Sequence, residues 1–220
     1  MYDWSLRGDL RAGINASMYL PDNTTSTGYM RRGSSTNNAR IGGKLGAFFV
    51  AGNRTPAERK ADILERESGD LRNELEQYDI VVQNYRLINS RGKVLWLEGG
   101  PENSIAAIAK DARGRILFTL CQEPLTAERF ALYLNSFPLA LKTVMYVEGG
   151  AQAGLLLRLD NNVASDSGHA AQVSLPGASA TAVDDRVIHV WKGRTNPLNK
   201  RGTPHAVLPS VRGLVRYVWS

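Results

Sequence analysis

The stretch Ile105-Ala106-Ala107-Ile108-Ala109-Lys110-Asp111-Ala112-Arg113-Gly114-Arg115-Ile116-Leu117-Phe118-Thr119-Leu120 decides the fold. Two short apolar runs flank an Asp-x-x-Gly segment, the pattern of a β-hairpin whose arms are buried and whose turn is polar. Immediately downstream, Thr126 stands as a helix cap before Phe130, Leu134 and Phe137, which recur at i, i+4 and i+7. That spacing predicts one amphipathic helix, ended by Pro138. A further β-prone run, Val144-Met145-Tyr146-Val147, then ends at Glu148 and is followed by Gly149-Gly150-Ala151-Gln152-Ala153-Gly154-Leu155. A hairpin, a helix and a returning strand make the core of an α+β domain.

Working outward, residues 11–20 read as a strand, and the Asn-, Ser-, Thr- and Gly-rich stretch from Pro21 to Lys44 reads as a long loop. Leu45 to Val50 is a strand. Thr55-Pro56-Ala57-Glu58 combines a capping box with proline at the first helical position. It predicts a helix carrying Ile63, Leu64, Leu71 and Leu75 on one face, frayed at Ser68-Gly69-Asp70. Strands are expected at Ile80–Gln83, Arg86–Ile88 and Lys93–Leu97, the last two joined by the turn Asn89-Ser90-Arg91-Gly92. Leu155–Leu159, Arg186–Trp191 and Gly213–Trp219 complete the set, with a polar, weakly patterned interval from Asp160 to Asp185. The expected architecture is therefore α+β: mixed or mainly antiparallel sheets with one or two packed helices, in a single domain over residues 1–220.

The 220 residues are 43% hydrophobic and 22% charged, enough for a real core. A net charge of +6 favours anionic partners such as phosphates or acidic glycans. The basic residues are dispersed and not interleaved with aromatics, which argues against nucleic acid. Cys121 is the only cysteine and lies in an apolar run, so it reads as a buried, inert thiol. His169, His189 and His205 lack metal-ligand spacing, and no metal or cofactor is expected. Neither a Gly-x-Ser-x-Gly elbow nor a phosphate loop is present. No apolar run reaches the roughly 18 residues of a membrane span, and no signal peptide opens the chain. A periplasmic or extracellular location is expected if an export signal has been removed.

What remains is carboxylate and amide chemistry. A strand ending at Glu148 carries its carboxyl to the rim of a sheet, and Gly149 and Gly150 allow a sharp turn and close approach of a ligand. Gly13-Ile14-Asn15-Ala16-Ser17-Met18-Tyr19 places a neutral amide at the end of another short run. Glycosidic cleavage needs an acid, base or nucleophile beside an oxocarbenium-like centre and neutral groups to fix sugar hydroxyls. Glu148 suits the first role; Asn15, Tyr19, Gln83, Asn84 and Gln152 suit the second. Arg31, Arg32, Arg40 and Arg86 are candidates for a phosphate, whose oxygens match the guanidinium fork.

With those residues in view, the chain resembles the phosphodiester glycosidase family, whose domain is shared by many bacterial proteins and by the mannose-6-phosphate uncovering enzyme. Gly13–Tyr19 looks like the family's Asn-Gly-Gly-x-Phe/Tyr block. Val82-Gln83-Asn84-Tyr85-Arg86-Leu87-Ile88 is similar to its Ser-Gly-Pro-x-Leu-Val block. Ser104 to Leu155 resembles its long core, which ends in Leu-Asp-Gly-Gly. Departures accompany the likeness. Glu148 replaces aspartate, Ala151-Gln152-Ala153 replaces the serines after the glycines, Asn84-Tyr85 replaces Gly-Pro, and Asn103-Ser104-Ile105 stands where an arginine is usual. The strands that usually precede these blocks have no counterpart, implying that Met1 begins partway into such a domain.

The resemblance implies a divergent bacterial glycosidase acting on a sugar-1-phosphodiester or related cell-surface glycan linkage. In it Glu148 is the acid, base or nucleophile. Asn15 and Tyr19 orient the sugar, the Gly149 and Gly150 amides receive an oxyanion or hydroxyl, and Arg86 assists the phosphate. The alternative is a non-catalytic envelope glycan-binding protein that keeps the pocket without the chemistry.

Overall fold

The computed structural model describes residues 12–53, 61–159, 162–167, 188–192 and 212–219. In chain order these form β1 (Ala12–Ile14), β2 (Met30–Arg32), β3 (Ser35–Asn38), β4 (Ala47–Asn53), β5 (Ala61–Glu65), α1 (Leu71–Glu76), β6 (Tyr78–Asn84) and β7 (Arg86–Ile88). There follow β8 (Asn103–Asp111), β9 (Ile116–Leu125), α2 (Ala127–Ser136), β10 (Leu141–Gly149), a 3₁₀ turn (Gly150–Gln152) and β11 (Gly154–Leu159). β12 (Asn162–Ser167), β13 (Ile188–Lys192) and β14 (Arg212–Trp219) complete the described chain.

Three sheets result, with strand orders β13-β14-β9-β8-β10-β7, β3-β2-β6-β4-β5 and β1-β11-β12. Every pairing among the described strands is antiparallel. The α+β reading holds, and the sheets are antiparallel, not mixed.

The six-stranded sheet is the centre because β8 is apolar on both faces. Ile105, Ala107 and Ala109 point one way with Leu117, Cys121 and Val144, under Phe130, Ala131 and Leu134 of α2. Ala106 and Ile108 point the other way with Ile116, Leu120, Met145 and Val147, against Ala47 and Ile63 of the five-stranded sheet and Leu155 of β11. A strand covered on both faces shows no alternation in sequence, as the run Ile105–Ala109 illustrates. The outer face of the five-stranded sheet buries Phe48, Val50 and Val81 beneath Leu75 of α1.

Local signals explain the best-read elements. Asp111 accepts the Arg113 and Arg115 amides at 2.9 Å each, and Gly114 takes φ +78°, so the Asp-x-x-Gly turn closes β8 onto β9. The Thr126 side chain accepts the Arg129 amide at 3.2 Å, capping α2, and Phe137 is extended before Pro138. Cys121 is buried, as expected; desolvation pushes its thiol up to about 12.

Other expectations need correction. The Pro21–Lys44 interval is not a structureless loop, since β2 and β3 form a hairpin inside it that extends the sheet from β6. Polar β3, exposed at the edge, has no hydrophobic alternation to betray it. Ile63 and Leu64 lie in β5, facing opposite sides of a strand; the helix is the short α1, which keeps Leu71 and Leu75. The proposed helix start at Thr55–Glu58 lies outside the described residues. Lys93–Leu97 is not a strand: Val94 makes an isolated bridge to Ile88, and Leu95 donates to Leu87 O at 2.9 Å. β1 is also shorter than residues 11–20. His169, His205 and the polar interval beyond Ser167 are not among the described residues.

Candidate functional site

Glu148 is the penultimate residue of β10. It is 8% exposed, and no cation pairs with it among the described residues. Its Oε1 accepts the Gly149 amide at 3.0 Å. Desolvation raises the carboxyl's pKa above its ordinary 4.5, and that hydrogen bond offsets only part of the rise. A carboxyl that holds its proton more tightly than usual makes Glu148 a candidate acid or base.

The two glycines after it do different work. Gly150 has φ +69° and begins the 3₁₀ turn, so it needs the left-handed region. Gly149 is extended at φ −136°, a conformation open to any residue. Its reason is steric: a Cβ there would collide with the hydroxyl of Tyr146. The sharp turn expected of both glycines thus draws on positive φ at Gly150 alone. Because the Gly149 amide is engaged by Glu148, it is not free to receive an oxyanion.

Two hydrogen bonds from Asn15 hold the turn. Its Oδ1 accepts the Gly154 amide at 2.7 Å and its Nδ2 donates to Gln152 O at 3.0 Å, just beyond the Ile14↔Leu155 pair of β1 and β11. Ser104 on β8 braces the near side, donating to Gly150 O at 3.2 Å. Asn84, fully buried, donates to Val147 O at 3.3 Å and accepts the Tyr85 amide at 2.8 Å, tying the β6–β7 corner to the residue before Glu148. Asn15, Asn84, Gly149, Gly150 and Gln152 therefore converge on one turn with Glu148. Asn15 arrives as a clamp on the backbone, and the Gln152 side chain is exposed.

Gln83, Arg86 and Tyr19 join this group by no side-chain hydrogen bond or ion pair among the described residues. Gln83, the next residue in the strand from Asn84, is fully buried with its amide spent on backbone. Its Oε1 accepts from Tyr29 and Gly42, and its Nε2 donates to Gly42 O and Leu45 O. Arg86 lies between Glu67, bound at 2.6 and 3.0 Å, and Glu65 at 3.0 Å, so two carboxylates already occupy its fork. Tyr19 is 45% exposed and bridges to Ser26. Arg31 is buried and donates to Leu75 O and Tyr78 O.

An aromatic group beside Glu148 went unread in the sequence. Tyr146 stacks on Trp96 at 5.9 Å with 25° between planes, and Tyr85 meets Trp96 edge-on at 5.6 Å. The Trp96 indole N–H donates to Arg86 O at 3.1 Å. Burial and the neighbouring Glu148 charge push the Tyr146 phenol up to about 12. Tyr146 stands two residues before Glu148, but a bulge intervenes, so Tyr146 pairs with Ala107 and Glu148 with Ala106, which face opposite sides of β8. Among the described residues no cluster of His, Cys, Asp and Glu could hold a metal ion, and no helix is long and apolar enough to cross a membrane.

No protein-family model matches the chain, and no curated protein matches it in sequence. Among solved structures, it is distantly similar to the catalytic domain of zebrafish N-acetylglucosamine-1-phosphodiester alpha-N-acetylglucosaminidase auto-inhibited by its pro-peptide. The TM-score is 0.47 at 12% identity, covering 66% of this chain and 53% of that one. A hypothetical protein from Synechocystis is similar with a TM-score of 0.46 at 12% identity, over 71% of this chain and 49% of the other. The chain thus spans about half the length of these structures.

Proposed function

We propose that this chain hydrolyses a sugar-1-phosphodiester, or a related surface-glycan linkage, with Glu148 as the group that moves the proton. The observation that carries the reading is the state of Glu148: nearly buried, facing no cation among the described residues, its proton affinity raised, and seated at a strand end beside a glycine turn. A phosphodiester oxygen leaves without much help from an acid, so the raised basicity serves the attacking water. The ionised carboxylate takes a proton from water as its oxygen bonds to C1 of the sugar. The C1–O bond breaks with its electron pair on the phosphate. The products are the free sugar and a phosphomonoester. The exposed Gln152 side chain and the second N–H of Asn15 are the groups left to orient the sugar.

The first probe is N-acetylglucosamine 1-(methyl phosphate), its sugar being the one named for the zebrafish protein, with release of reducing sugar as the readout. Glu148→Gln should abolish release in a protein that keeps its melting temperature or exceeds it. Near wild-type release would remove the carboxylate from the chemistry.

A second reading, glycan binding without turnover, is favoured by one observation: the Arg86 guanidinium is neutralised by Glu65 and Glu67, leaving no fork to grip a phosphate. Binding of the probe by calorimetry with no product by mass spectrometry would select it.

A further inference from the structure

The geometry points to a binding site for a small organic anion, an acidic head on an apolar body, on the inner face of the five-stranded sheet. The inference goes beyond the hydrolase reading and does not depend on it.

Strand register builds the site. Met30 and Arg32 of β2 lie directly opposite Val82 and Ile80 of β6, and Arg32 also faces Ser35 of β3. Side chains two apart in a strand share a face, so these five residues look the same way. Val82 in turn pairs with Phe49 of β4, which packs into the core beneath the six-stranded sheet, so theirs is the inner face. With Asn37 they line a hollow of about 210 Å³. Arg31 borders it too, yet its guanidinium is held on the opposite face by Leu75 O and Tyr78 O.

The lining is divided between one apolar floor and one free cation. Met30, Val82 and Ile80 make the floor across two strands. Arg32, opposite Ile80, has no hydrogen bond or ion pair among the described residues. Arg31, Arg66, Arg86, Arg115 and Arg129 differ, each holding a carbonyl or carboxylate of the protein. The Asn37 amide is spent on the Ser26 N–H and the Thr24 carbonyl. That leaves the Arg32 guanidinium and the Ser35 hydroxyl as the side-chain polar groups open to a ligand.

A guanidinium fork matches a carboxylate or phosphate through two charge-assisted hydrogen bonds. An apolar body lying on the floor gains its own burial and keeps water from that pair, which strengthens it. A bare anion forfeits the floor, and a neutral apolar molecule forfeits the fork. The hollow is smaller than the roughly 300–1,000 Å³ of typical ligand pockets, so it takes a small molecule or the end of a longer one.

Phenyl phosphate and phenylacetate are the probes; phenol and inorganic phosphate each lack one half. Amide shifts of Met30, Ile80 and Val82 should move saturably with at least one organic anion, at an affinity roughly tenfold or more above that for phenol or inorganic phosphate. The tighter of the two anions identifies the head group. Arg32→Gln should weaken that anion roughly tenfold and leave phenol unchanged. Ser35→Glu sets a carboxylate directly across from Arg32 and should do the same with the guanidinium still present. Arg32 and Ser35 are exposed, so both variants should keep the wild-type melting temperature. Shifts that neither variant alters would mean that the floor takes any apolar molecule, and would overturn the site. Shifts confined to Gln152 and Gly154 would assign the anion to the Glu148 turn, and no saturable shift at all would leave the hollow without a ligand. Either result ends the inference and leaves the sugar-release assay of Glu148→Gln to decide the hydrolase reading by itself.

Discussion

The hydroxyl of Tyr146 and the Cα of Gly149 are packed so closely that no side chain fits between them. Gly149→Ala must therefore move the phenol, and the ring cannot swing freely because Trp96 lies against its face. The expected cost is about 1–3 kcal/mol, the range for overpacking a fitted contact. Tyr146→Phe removes the colliding oxygen, so Gly149→Ala should cost much less in that background. A double-mutant cycle by urea unfolding reads this directly: the coupling should be comparable to the single-variant loss. Additive costs would show that the alanine disturbs something other than the phenol.

Glu148 should lower stability at neutral pH, in proportion to how far burial disfavours its charge. The sign follows from proton binding. A carboxyl whose folded-state pKa lies above its unfolded value holds more protons when folded. Its favourable contribution is present below the ordinary 4.5 and is lost as pH rises through the folded value. Glu148→Gln, neutral at every pH, should accordingly raise the melting temperature at pH 7 and have little effect near pH 4. For a domain of this size each kcal/mol moves the midpoint by roughly 2–4 °C. A gain at pH 4 equal to that at pH 7 would contradict the burial of the charge.

Arg86 should prove to be a stability residue. Its guanidinium joins β7 to Glu65 at the end of β5, and Glu65 also accepts from Thr143 of β10 at 3.0 Å, so one cluster links two sheets. Arg86→Ala leaves the largely buried Glu65 carboxylate without its cation and should cost about 1–3 kcal/mol. Most of this belongs to the Glu65 side, because Glu67 is largely exposed and its pair is screened. Lysine should rescue only in part, since a single ammonium cannot reproduce a two-pronged grip on Glu67 while reaching Glu65. Hydrogen bonding to Arg86 holds the Glu67 carboxyl below its ordinary value. Its stabilisation is present above that ordinary value and fades as pH falls through the lowered one. The gap between wild type and Arg86→Ala, followed by urea unfolding, should narrow in acid.

These residues show what the sequence could and could not convey. The β8–β9 hairpin, α2 and the strand to Glu148 were legible because apolar period, turn residue and cap all agree within a few positions of one another. Ile63 and Leu64 misled because two adjacent apolar residues suit either a helix face or the two faces of a buried strand. Only the partner β4 decides between them. Gln83 and Arg86 read as ligand groups because an amide and a guanidinium look alike whether they face a ligand or the protein. The acceptors that consume them, Leu45 O and Glu67, lie 38 and 19 residues away. Tyr146 was hidden for the opposite reason: a tyrosine in an apolar run reads as core, and its nearness to Gly149 appears only in three dimensions.

Asn15 offers the sharpest separation of architecture from chemistry. Its amide receives the Gly154 N–H and gives an N–H to Gln152 O, closing β1 onto the far side of the Glu148 turn. Asn15→Ala deletes both bonds at once and leaves a donor and an acceptor of the turn to find water. At about 1 kcal/mol net per bond, the expected loss is roughly 1–3 kcal/mol in urea unfolding. The effect should also be local. β1 is three residues long and pairs with β11 alone among the described strands, so amide exchange should accelerate at Gly13 and Gly154 before it changes in β8 or β9. Asn15→Asp keeps the acceptor for Gly154 but sets a carboxylate oxygen against the Gln152 carbonyl, and should fare no better than alanine at neutral pH. Protonating that carboxyl restores a donor, so the aspartate variant alone should gain protection at Gly154 as pH is lowered. Equal exchange in wild type and both variants would show that β1 is held by its ladder and that the amide clamp contributes nothing.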